Sequence, residues 1–289
     1  MPTEAVAEKK SSASEKPQSV LARYGFSASV AVLGVLMLVL IHRSVYAYLT
    51  SGDDYTIDLA TLHVADRPEW AGDGLISEIK STAPLSGKMS IFDPDLTKNV
   101  TEHYQKNPWV SRVLSVQKEF PNTLRVKVEM RKPLVAVERK GEFILIDRDG
   151  VRIPGSYVNV PKFTFTVCRV LGVRSTPPEA GKKWSDVGVD AAVGVASALS
   201  ENRVDRMMTV HSIDVSRVGR GGRETEVILH AEDSVPIEWG RSPSSREYGE
   251  LTVEEKVRNL KGVLMSQPRL KGVGRVKVQF DDPVVIMRR

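Results

Sequence analysis

"KNPWVSRVLSVQKEFPNTLRVKVEMRKP", Lys106 to Pro133, is the stretch on which the reading of this chain turns. It holds two strand-like runs around a Pro121-Asn122 turn. In the second run Leu124, Val126, Val128 and Met130 alternate without a break against Arg125, Lys127, Glu129 and Arg131, the period of a half-buried strand. Leu114, Val116 and Phe120 are expected to alternate in the same way on the first. Pro108 ends whatever helix precedes it, because a residue before proline is pushed out of helical geometry. Trp109 is then placed to plug the joint between helix and sheet.

Moving toward the N-terminus, "DPDLTKNV" opens that helix, with Asp93 as cap and Pro94 at the first helical position. Leu96, Val100, His103 and Tyr104 recur at spacings of three and four and form its inward face. His103 reads as a core or boundary histidine. "GDGLISEIKSTAP" (72–84) predicts an earlier short helix with Leu75, Ile76 and Ile79 buried, and "YTIDLATLHV" (55–64) predicts a strand. The order is β-α-α-β-β over residues 55–132.

Further back, "FSASVAVLGVLMLVLI" (26–41) carries no charge. With its flanks it meets the roughly 20 residues a helix needs to cross a bilayer, and Tyr46 and Tyr48 are placed as aromatic anchors at one interface. A transmembrane helix and flank is assigned to 24–48. Lys9, Lys10, Lys16 and Arg23 precede it and only Arg43 follows closely, so the N-terminus is expected in the cytoplasm and the rest outside it. Residues 1–23, rich in Ser, Lys and Glu, read as a disordered cytoplasmic tail. A cleaved signal peptide, with "VYA" (45–47) as its processing site, is the competing reading; the apolar run exceeds the usual roughly 7–15 residues of such a segment.

Toward the C-terminus, residues 133–289 predict a mixed β domain with flanking helices. "VAVERKGEFILIDRDGVRI" (135–153) contains two turn signals, at Lys140-Gly141 and at Asp149-Gly150. "DVGVDAAVGVASALS" (186–200) has helical composition despite two glycines, and "LTVEEKVRNLKGVLMS" (251–266) is amphipathic with Val253, Val257, Leu260 and Leu264 on one face. "VHSIDVSRV", "TEVILHA", "SVPIEWG" and "RVKVQF" read as strands, and "GRGGRE" (219–224) as a hairpin tip. The whole chain is thus expected to be α+β.

Composition narrows the function. The 41 Lys and Arg against 36 Asp and Glu leave +5 over 289 residues, five of the cations (Lys9, Lys10, Lys16, Arg23, Arg43) lie near the N-terminus, and no basic stripe marks a nucleic-acid face. One cysteine, Cys168, excludes an internal disulfide framework and a cysteine-rich zinc site. The five histidines are scattered without metal-ligand spacing. "SEIK" (77–80) and "SVQK" (115–118) fit Ser-x-x-Lys, but no Lys-Thr-Gly accompanies them. His211 and Asp214 are accounted for as strand positions. No catalytic, cofactor-binding or metal-binding residue is assigned, so the chain reads as a non-enzyme.

Taken together, a short tail, one apolar span and a β-α-α-β-β unit resemble the bacterial cell-division family FtsQ/DivIB. The resemblance rests on "NPWVSRVLSVQKEFPNTLRVKVEMRKPLVAV", close to the family's Pro-Trp-Val, then a strand, then Pro-x-Thr-Leu, a strand, and a charged-Lys/Arg-x-Pro. Trp239-Gly240, Glu255-Lys256-Val257 and Leu260 extend it into the C-terminal half. Where the family often carries Asp-Leu-Arg, this chain has Gln279-Phe280-Asp281. The resemblance implies that residues 55–132 form a POTRA domain. It further implies a single-pass inner-membrane scaffold at the division septum, holding FtsB- and FtsL-like single-pass partners and septal peptidoglycan synthases. Carried over by position, the partner-binding residues are Phe280, Asp281, Asp282, Pro283, Val284 and Val285, with no cofactor. A membrane-tethered envelope enzyme and a POTRA-containing secretion or assembly factor are the alternatives.

Overall fold

The computed structural model describes residues 18–59, 63–65, 68–70, 77, 81, 86–220, 225–245 and 249–288. It is a mixed α+β structure with one N-terminal apolar helix and a large mixed sheet.

Helix α1 runs Gln18–Ser51, and Gly25–Tyr48 within it is long and apolar enough to cross a membrane, with mean hydropathy 2.2 and nothing covering it. It starts before the boundary expected at residue 24, since "SVLARY" continues the helix without Gly or Pro to break it. Residues 1–17 of the expected tail lie outside the described residues.

The strand expected over 55–64 is two short ones in different sheets. β1 (Thr56–Asp58) pairs antiparallel with β3 (Lys88–Ser90), whereas β2 (His63–Ala65) lies parallel to β5 (Thr123–Met130). The helix predicted around 72–84 falls almost wholly outside the described residues. The next one forms as α2, Leu96–Lys106, with Leu96 and Val100 fully buried. It stops at Asn107, whose buried side-chain oxygen accepts the Trp109 N–H at 3.0 Å and seats the indole in the core.

β4 (Val110–Glu119) and β5 pair antiparallel from Val110↔Met130 to Glu119↔Thr123. On β5 the alternation is as read from the sequence: Leu124, Val126, Val128 and Met130 are buried. On β4 it is not. Irregularities at Val110/Arg112 and Val113/Ser115 each shift the register, and a one-residue shift turns a strand's side chains over. Leu114, the extra residue at the second irregularity, therefore faces solvent while Val113 and Val116 turn toward the core; Phe120, one residue past the end of β4, is exposed in the hairpin turn.

The larger sheet has eight strands among the described residues, and its β6 (Pro133–Arg139) and β7 (Glu142–Asp147) form a hairpin. It continues through β8 (Cys168–Leu171), β9 (Val210–Asp214), β10 (Val227–Ala231), β11 (Pro236–Gly240), β12 (Val273–Lys277) and β13 (Val284–Met287). Their spatial order is β13-β12-β11-β10-β9-β8-β6-β7. Parallel neighbours need a crossover, and two of them have a helical one. α3 (Val187–Glu201) joins β8 to β9, and α4 (Val253–Ser266) joins β11 to β12. Both helices are capped as their sequences allow. Asp186 accepts from the Gly188 and Val189 N–H groups, and Thr252 and Glu255 form a capping box. The glycines of α3 have a packing reason: a Cβ at Gly188 or Gly194 would press at 3.0–3.1 Å on Val215 or Pro243.

The β6–β7 hairpin is buried on both faces. Val135, Val137, Ile144 and Ile146 join the core beneath α3 and α4, while Ala136, Phe143 and Leu145 join the core of α2, β4 and β5.

Below β11, Lys256 is almost completely buried, its amine hydrogen-bonded to the Glu250 carboxylate and lying 5.7 Å from the Trp239 ring centroid. Glu250 also accepts the Arg241 N–H at 3.0 Å, so the pair ties the loop after β11 to α4. Desolvation holds the Lys256 amine below its ordinary value, and Glu250 pulls it part of the way back. Glu250→Ala leaves that cation buried and unpaired and should cost about 3–5 kcal/mol at neutral pH. Its folded-state pKa falls further, so the penalty is full below that value. It should shrink as pH rises through it toward the ordinary lysine range, where the buried amine is neutral. Denaturant melts of both proteins from pH 7 to 10 measure this; a deficit independent of pH would refute the assignment.

Candidate partner interface at the sheet edge

A sheet edge presents unpaired backbone N–H and C=O groups and invites another strand, so proteins cover or blunt edges they do not use. The two edges of the larger sheet differ. Alongside β7, the chain returns through 151–157: Phe143 and Tyr157 exchange N–H···O bonds at 2.7 and 3.0 Å, and the Ile153 N–H donates to the Leu145 carbonyl at 2.9 Å. Alongside β13 the described residues place no strand or covering segment.

β13 is held to the sheet on its inner side only. It pairs antiparallel with β12, Lys277↔Val284, Val276↔Val285 and Arg275↔Ile286, and the Arg288 N–H donates to the Gly272 carbonyl at 2.7 Å. The turn before it is anchored by Asn259 of α4, whose amide donates to the Val278 and Phe280 carbonyls at 3.3 and 2.7 Å. Gln279 is buried and its side-chain oxygen accepts from the Thr225 hydroxyl at 3.0 Å.

Strand alternation sorts the residues expected to bind a partner. Phe280, Asp281 and Asp282 are exposed in the turn, and Pro283 is half-buried just before the strand. Val285 packs on the core beneath α3 and α4. Val284 is 41% exposed, and Ile286, 46% exposed, stands beside it on the helix-free face. The register sets Val284 against Lys277 and Ile286 against Arg275. Both cations are held by Glu238 of β11, at 3.2 Å for Arg275 and 3.4 Å for Lys277. The outcome is a strand left open by the described residues, with Val284 and Ile286 on its helix-free face, Met287 exposed at its end, and an ordered ion-paired row alongside.

Ile286 is legible in the sequence as part of the apolar run 284–287, but Arg275, Lys277 and Glu238 did not stand out. Their signal is the alternation in "RVKVQF" and "VVIM", which pairs cations with apolar residues only once the strands are set in register.

A cavity of about 420 Å³ lies elsewhere, between β5–β6, the end of β7, α3 and β8. Several of its polar groups are engaged in structure, while the buried Arg131 Nε has no hydrogen-bond partner among the described residues. Arg131 is paired with nearly buried Asp147 at 2.6 Å, and Asp147 also accepts the Asp149 and Val151 N–H groups. The Cys168 thiol, also on its wall, is pushed up to about 11 by burial and by the Asp205 charge, so it stays protonated and weakly nucleophilic at neutral pH. The Ser-x-x-Lys pair at 115–118 is directed apart, since the Lys118 amine donates to the Asp93 carbonyl at 2.6 Å. Among the described residues, no group of three His, Cys, Asp or Glu is placed to hold a metal ion.

Replacing both Val284 and Ile286 by Lys should lower stability by less than about 1 kcal/mol, within the range set by strand propensity. Val285→Asp, which buries a carboxylate against the core, should cost about 1–3 kcal/mol. Chemical denaturation of the two variants tests the assignment of faces; equal losses would contradict it.

No protein-family model matches the chain, and no curated protein matches it.

Proposed function

We propose that this chain is a non-catalytic, single-pass membrane scaffold that captures a partner strand on the open edge of β13, in the manner expected of a cell-division protein of the FtsQ/DivIB type. The observation that carries the reading is the asymmetry of the larger sheet: one edge is closed by 151–157, the other offers β13 with Val284 and Ile286 outward. Strand addition to such an edge draws affinity from main-chain hydrogen bonds and specificity from alternate side chains.

Three further features support it. The apolar helix Gly25–Tyr48 is preceded by cations, which orients the tail inward and the folded part outward. α2 followed by the β4–β5 hairpin, with β2 beside β5, is consistent with a POTRA-like unit next to the bilayer. The residues carrying the family resemblance also have structural work in the fold: Trp109 fills the first core, and Trp239 and Lys256 hold the underside of β11. In this reading the first unit recruits. The edge strand binds a short extracytoplasmic segment of a small single-pass partner of the septal peptidoglycan-synthesis complex.

A fluorescent fusion at the N-terminus, followed through division, tests this. The expected result is a band at the constriction, with a similarly tagged single-pass division partner co-localised. In the Val284→Lys, Ile286→Lys protein the partner's band should be lost while the chain remains in the membrane. Uniform envelope signal throughout the cycle would overturn the division reading and favour an envelope enzyme or an assembly factor. A partner band unaffected by the double substitution would remove the edge from the mechanism.

A further inference from the structure

We infer that the tip of the β4–β5 hairpin, Phe120 to Thr123, is a second membrane contact, seated in the interfacial layer of the bilayer beside the end of α1. The inference rests on the membrane reading of α1 given above.

Three aromatic rings form a continuous path away from the helix end. Tyr55 and Phe92 lie 5.3 Å apart between centroids, and Phe92 and Phe120 lie 5.6 Å apart. The first ring lies just past the membrane helix's own terminus, in the turn that follows it. Gly52 sits between them: a Cβ there would be 3.6 Å from the Tyr48 carbonyl oxygen and 3.7 Å from the Tyr55 ring. A tight turn keeps it there, with the Tyr55 N–H and the Thr56 hydroxyl both donating to the Gly52 carbonyl. Tyr48 is the last residue of the apolar span. Tyr55 and Phe92 are half-buried against the first core, so the far end of the path is fixed to the folded unit.

At that far end Phe120 is 64% exposed. An isolated exposed phenylalanine needs no explanation, but one joined by two ring contacts to Tyr55, in the turn that leaves an apolar span, sits where interfacial aromatic residues collect. Charge is also managed at the tip. Glu119 is held by Arg125 through two hydrogen bonds, Lys118 is turned back onto the Asp93 carbonyl, and Pro121, Asn122 and Thr123 are uncharged and exposed. Asp53 and Asp54, exposed beside the helix end, argue against a site for anionic headgroups. The partner is therefore the apolar–polar boundary of the lipid itself, met by Phe120.

The test uses the full chain in phosphatidylcholine bilayers with Cys168→Ala as background and one nitroxide per protein, read by collision with lipid-soluble oxygen against an aqueous nickel chelate. Labels replace Asn122 at the tip, Met265 at the exposed end of α4, and Met37 within the span. The oxygen-to-nickel ratio at 122 should exceed that at 265 several-fold. Phe120→Asp, a change at an exposed site, should bring it down to the value at 265. A lipid-exposed label at 37 together with equal ratios at 122 and 265 would overturn this inference while leaving the anchor intact. An aqueous label at 37 would overturn the anchor and the inference together.

Discussion

The β6–β7 hairpin has to satisfy two cores at once. A strand shows its side chains to opposite faces in turn, and here both sets are apolar: Val135, Val137, Ile144 and Ile146 on one side, Ala136, Phe143 and Leu145 on the other. A slip of one residue would exchange large and small groups between cores that are already filled. Thus the unit of α2, β4 and β5 and the larger sheet share a pair of strands where a linker could have stood. Pro133, at the start of β6, is itself buried, and Arg131 just before it is tied to Asp147 at the hairpin's other end.

That shared hairpin sets what the far edge can do. From β6 the sheet extends in one direction through six further strands to β13, while on the other side β7 is closed by the returning chain. Both helices pack on the same core, leaving the opposite face to the Glu238, Arg275 and Lys277 row and to Val284 and Ile286. The Lys256–Glu250 pair stiffens the loop beneath β11 and so supports the strands that carry this edge. In the proposed function, binding comes from the edge that the described residues leave unpaired, and an anchoring α1 would decide where that edge is presented.

Much of this was legible in the sequence where a pattern is strict and local. The run Leu124 to Met130 has unbroken period two and forms as read, and Asn107-Pro108-Trp109 ends α2 for the reason the proline gives. Thr252 and Glu255 announce the start of α4 at three residues' spacing. What failed depends on partners distant in sequence. Leu114 turns outward because β4 is irregular against β5, and irregularities of that kind leave no mark in an apolar alternation; Phe120 is exposed because it lies past the end of β4, in the turn. The split of β1 from β2 reflects two different partner strands. In the candidate site the sequence marks Phe280 to Val285 as a segment but not which of Val284 and Val285 faces out; that follows from pairing with β12. Nor does it reveal that the described residues leave this edge open while the path of 151–157 closes the opposite one.

Site-specific photocrosslinking in dividing cells tests the central claim most directly, with a photoreactive amino acid placed in turn at positions 284, 285 and 286. A strand docked on β13 predicts adducts from 284 and 286 to one small single-pass division protein, and none from 285, which faces the core. Adducts from all three without alternation, or from none while the protein still reaches the septum, would contradict an account in which β13 is the docking edge.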